Sequence, residues 1–102
     1  MAFQQLDGPS VQGSLTVNTV TVQEIKVNAS ALEERKVITI QPTNKVKIYF
    51  GGNGSAPSAA TVSADGLTLF KDALMSFEAS TSQPVYILAV SGSVNVIVVE
   101  RS

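Results

Sequence analysis

Apolar and polar residues alternate with a period of two along much of the chain, and the breaks in that alternation divide it into short segments. Val46, Ile48 and Phe50 alternate with Lys45, Lys47 and Tyr49, the pattern of a half-buried strand. Val37-Ile38-Thr39-Ile40 is closed by Pro42, which has no N–H to give to a ladder, so a strand is predicted to end there. The short connection from Pro42 to Lys45 predicts that these two strands pair as a hairpin. A second hairpin is predicted at the C-terminal end, where Val85–Val90 turns at Ser91-Gly92-Ser93 and returns as Val94–Val99. Both of its strands are nearly continuous in apolar residues, which predicts cover on both faces. Thr61-Val62-Ser63 and Leu67-Thr68-Leu69-Phe70 flank Ala64-Asp65-Gly66, a turn in which Gly66 is expected to supply a positive φ.

Toward the N-terminus the alternation changes phase. Leu15 and Val17 share one phase, Val20 and Val22 are offset by one residue, and Ile25 and Val27 shift back. A one-residue slip turns every side chain to the other face, so bulges or turns are predicted near Asn18-Thr19 and Gln23-Glu24. Before this stretch, residues 1–14 read as an extended arm, and residues 15–102 as one β domain. The phase-shifting apolar positions Leu15, Val17, Val20 and Val22, with Phe3 and Leu6 of the arm, are the candidate partner-binding residues. Residues 28–36 hold the one helical patch, where Ser30 and Glu33 have capping-box spacing. That patch is also the most charged run and is expected to be a solvated loop. The Gly51–Ala60 stretch predicts an exposed loop, with Tyr49, Gly51, Gly52, Asn53 and Gly54 as contact candidates. About seven or eight short strands, with turn signals between them, predict an all-β fold: a single small sandwich or jelly-roll-like barrel.

Composition supports the strand reading. Of 102 residues, 14 are Val, 6 Ile and 8 Thr, side chains that favour a pleated surface. It also removes most chemistry. The chain has no Cys and no His, so it lacks thiolate ligands and the commonest general base. The carboxylates Asp7, Glu24, Glu33, Glu34, Asp65, Asp72, Glu78 and Glu100 show no spacing that selects a catalytic or calcium-binding set, and they read as solvated charges. The glycines at 51, 52 and 54 lack the Gly-Lys-Ser/Thr of a phosphate loop. An enzyme is not expected, and neither is a metal or a cofactor. A net charge of −1 gives no surplus with which to hold nucleic acid. No apolar run approaches the length of a membrane span, and no signal peptide is visible at the N-terminus.

Arg35-Lys36-Val37-Ile38-Thr39-Ile40-Gln41, then Asn44, then Val46-Lys47-Ile48-Tyr49-Phe50-Gly51-Gly52 resembles the core of small all-β tailed-phage virion proteins. The resemblance continues through Gly66-Leu67 and the closing segments Val85–Ala89 and Gly92–Val96 to Glu100, and so spans residues 29–100. It implies a structural protein of a bacteriophage virion, of the capsid-decoration or head-fibre kind. Such a protein is made in the host cytoplasm and binds the major capsid protein or another virion protein. It would self-associate as a homo-oligomer, with a trimer among the allowed states. A carbohydrate- or receptor-binding module, suggested by the Gly51–Ala60 loop and Tyr49, is the alternative expectation, as is a neck or tail component of the same virion.

Overall fold

The computed structural model describes residues 9–51 and 55–102. In chain order its elements are β1 (Ser10–Val17), β2 (Gln23–Glu24), β3 (Val37–Pro42), β4 (Val46–Phe50), α1 (Ala59–Asp65), β5 (Leu67–Leu69), β6 (Met75–Glu78), β7 (Val85–Ala89) and β8 (Val94–Arg101). They form two four-stranded sheets, ordered β1-β8-β3-β6 (sheet A) and β2-β7-β4-β5 (sheet B). Every pairing is antiparallel.

The pairing is nested. Ser10 faces Arg101, Gln23 faces Ile87, Val37 faces Glu78 and Val46 faces Leu69, so partners are met by counting inward from both ends of the chain. One long folded ribbon is thus rolled into two sheets and sealed by the β3–β8 and β4–β7 ladders. This is the jelly roll. Its core lies between the sheets and is filled by the inward positions, among them Val17, Ile38, Ile40, Val46, Ile48, Ile87, Val96 and Val98.

Both predicted hairpins are corrected. β3 lies in sheet A and β4 in sheet B, and β7 and β8 are likewise split between the sheets. Each short connection carries the chain across the sandwich. The reason is competition between ladders. β8 pairs along its full eight residues with β1 and along six with β3, so both of its edges are filled by distant strands. Gly92, at φ 63, supplies the tight bend of the β7–β8 crossing. The phase shift at Asn18-Thr19 has the same meaning: the Asn18 side chain accepts from the Val20 and Thr21 amides and turns β1 of sheet A toward β2 of sheet B.

The helix also lies elsewhere than expected. Residues 28–36 form no helix, and Ala59–Asp65, read as loop and strand, forms α1. Ser58 caps it, its hydroxyl accepting from the Thr61 amide, and the Gly66 amide closes it onto the Val62 carbonyl. Gly66 sits at φ −70 rather than in the left-handed region. It is needed for closeness instead: a Cβ there would stand 2.5 Å from the Val62 carbonyl oxygen. Residues 10–14, read from sequence as the end of an arm, belong to β1 and pair with β8, and residues 1–8 of that arm lie outside the described residues.

Candidate functional site

The most ordered polar feature is internal. Arg35 and Glu100 form an ion pair at 2.8 Å with both side chains fully buried. All five guanidinium N–H groups are used: Nε donates to Ala79 O, Nη1 to Ile25 O and Glu100 Oε2, and Nη2 to Ser80 O and Gln83 O. Glu100 also accepts from the Val27 and Leu32 amides. The pair therefore stitches the β2–β3 and β6–β7 connections onto β8. Two readings from sequence are corrected here, because Glu100 is not a solvated carboxylate and residues 28–36 are not wholly a solvated loop. The Val27 and Leu32 amides bond to the distant Glu100 carboxylate, and residues 28–36 form no helix.

Two open clefts, of about 370 and 700 Å³, flank this knot. Arg35, Lys36, Ser80 and neighbouring polar residues line them, without an aromatic ring on which a sugar could stack. The guanidinium is saturated, and among the described residues no group of acidic side chains could hold a metal ion. The clefts hold neither a nucleophile with its base nor an anion cradle.

The first surface is one end of the sandwich. The β1–β2, β7–β8, β3–β4 and β5–β6 connections lie side by side there. Ala89 N donates to Asn18 O, Val90 N to Lys45 O and Asp72 N to Pro42 O, so backbone bonds tie the four into one row. Three of them carry exposed apolar side chains: Val20 at 75%, Val90 at 44% and Phe70 at 62% relative exposure. The Lys45 ammonium stands 5.3 Å from the centre of the Phe70 ring.

The second surface is the outer face of sheet A. Its outward residues form rows across the strands: Ser10, Arg101, Val37 and Glu78; then Gln12, Val99, Thr39 and Ser76; then Ser14, Ile97 and Gln41; then Thr16 and Asn95. Charge is confined to the first row. Hydroxyls and amides make up most of the rest, with Thr39 and Ser76 hydrogen-bonded at 2.8 Å, around a central stripe of Ile97 and Val99. The outer face of sheet B differs. There α1 packs on β4 and β7, and Val62, Tyr86 and Leu88 are buried outside the inter-sheet core.

The candidates read from the sequence separate on this frame. Val20 is exposed at the sandwich end and Val22 is half-buried. Val17 is fully buried between the sheets, and Leu15 is partly buried against that core. Their phase is the inward phase of β1, and the apparent partner stripe is ordinary core. Gly51 is buried too, so close to Tyr86 that an added Cβ would meet the ring at 2.6 Å. Its role is packing rather than loop contact. Tyr49 is half-buried on the outer side of β4, opposite Tyr86. Phe3, Leu6, Gly52, Asn53 and Gly54 lie outside the described residues. Phe70 and Val90 were missed, since each continues an apolar run that reads as strand interior.

No family model matches the chain, and no match is found among curated proteins. Among solved structures, a Bacillus endospore appendage from a family described as disulfide-linked pili aligns with 100% of this chain and 97% of its own. The identity is 14% and the TM-score 0.42. Among the described residues no helix is long and apolar enough to cross a membrane.

Proposed function

We propose that the protein is a structural subunit that attaches to a larger protein shell through the end of its sandwich, and that this shell is a phage capsid. The observation that supports this reading is the row of short connections presenting Val20, Val90 and Phe70 to solvent on a hydrogen-bonded backbone frame. Apolar side chains held on a rigid scaffold lose little entropy on docking and supply the buried centre of an interface. Lys45 and the exposed Lys71 flank Phe70, so the matching patch on the major capsid protein is apolar with an acidic rim. The capsid as the setting comes from the resemblance of residues 29–100 to small tailed-phage virion proteins.

Particle fractionation tests this. The full chain is mixed with purified capsids and sedimented. It is expected to travel with the particles, and the triple variant Val20→Ser, Phe70→Ser, Val90→Ser is expected to stay behind with an unchanged melting temperature. A wild-type chain left in the supernatant, or a triple variant that still binds, overturns the reading.

A further inference from the structure

We infer that the outer face of sheet A is a self-association surface, occupied by the same face of a second copy related by a twofold axis lying along β3. The inference does not rest on the capsid reading: it uses the outer face of sheet A and shares with the sandwich end only the β5–β6 connection that carries Leu74.

Charge is the first argument. Arg101 and Glu78 are both exposed, both in the first outward row, and on the strands immediately either side of β3, with Val37 between them. Two strand spacings, about 10 Å, keep them apart within one copy. Among the described residues neither belongs to an ion pair. A twofold along β3 exchanges β8 and β6, so Arg101 of each copy meets Glu78 of the other, and the pairing forms twice.

Apolar matching is the second argument, and it follows from the same axis. Leu74 immediately precedes β6, whose ladder with β3 ends at Ile40–Met75, and that register continued by one residue sets Leu74 beside Gln41, in the row that holds Ile97. Leu74 is 70% exposed and Ile97 is 39% exposed. The twofold sets each Ile97 over the Leu74 of the other copy. One operation therefore pairs the charges and sets Ile97 against Leu74, while Val99 lies over Ser76 of the other copy.

Area is the third argument. The three overlapping strands offer a footprint of at most roughly 14 by 25 Å per copy, about 700 Å² for the two faces, which is the size of a weak, transient contact. A weak dimer, with a dissociation constant of about 10–100 µM, is expected, with the neutral hydroxyls of the face at its centre.

Sedimentation equilibrium of the full chain between about 1 and 300 µM decides it. The wild type is expected to dimerise, and Ile97→Lys to weaken dimerisation at least about tenfold, with unchanged circular dichroism. Arg101→Glu and Glu78→Arg are each expected to weaken it, and the double variant to recover most of the loss. That recovery requires a folded chain, so it stands even where a single variant is unstable. A wild type that stays monomeric throughout, a dimer indifferent to Ile97→Lys, or a double variant no better than its singles overturns the inference. A dimer broken by the end variant Val20→Ser, Phe70→Ser, Val90→Ser but not by the face variants overturns it too.

Discussion

The outer faces of the two sheets begin from similar strands and end differently. On β7, Leu88 points outward and is 1% exposed, whereas Ile97 on β8 points outward and stands open. Both belong to runs nearly continuous in apolar residues. The difference is made by the connection between β4 and β5, which carries α1 across sheet B, while no described segment crosses the outer face of sheet A. The outer face of sheet B is thus closed by the chain itself, and no described segment covers the apolar stripe on the outer face of sheet A. An apolar strand face shows that cover is needed, and the topology alone decides whether the chain provides it.

The largest expected effect removes what both sheets share. Arg35→Met leaves the Glu100 carboxylate buried without its counter-charge, and urea unfolding should show a loss of about 3–5 kcal/mol. For a domain of this size that is a large part of total stability. Next comes the contrast itself. Leu88→Ala, beneath α1, is expected to cost about 2–5 kcal/mol in the same assay, and Ile97→Ala on the open face less than about 1 kcal/mol. Equal losses at the two positions would show that sheet A's outer face is covered in solution, and a concentration-dependent loss at Ile97 would identify that cover as a second copy.

Smaller changes sharpen the same contrast. Ser58→Ala removes the α1 cap and should lower stability by about 1 kcal/mol, read as a fall in melting temperature. Combined with Leu88→Ala its cost should fall short of additive, because both act on one contact. At the far end of the scale, Val20→Ser is expected to change stability by no more than about 0.5 kcal/mol by calorimetry, since the side chain is already in water.

Much of the fold was legible from alternation. Each outward and inward position of β4 was readable from Lys45–Phe50, and the crossing at Asn18-Thr19 from a phase shift. The helix was not read from the sequence: its Ala and Ser look like loop and Thr61-Val62-Ser63 like strand, although Ser58 stands in N-cap position before it. The candidate site was less legible. Val17 and Val20 look alike as apolar positions beside a phase break, yet one lies at the centre of the core and the other at its most exposed end. Arg35 and Glu100, 65 residues apart, carry no local sign that they meet.

The alternation of side chains and the abundance of β-branched residues determined that this chain forms strands, which residues share a face, and where the chain turns. These are local properties, set by how each backbone unit points its own side chain. Which strands pair, that the short turns cross between sheets, that one charged pair is buried, and that only sheet B's outer face is crossed by a described helix were decided by the tertiary structure. Those outcomes rest on competition among ladders and contacts far apart in the chain, and no local window contains both competitors.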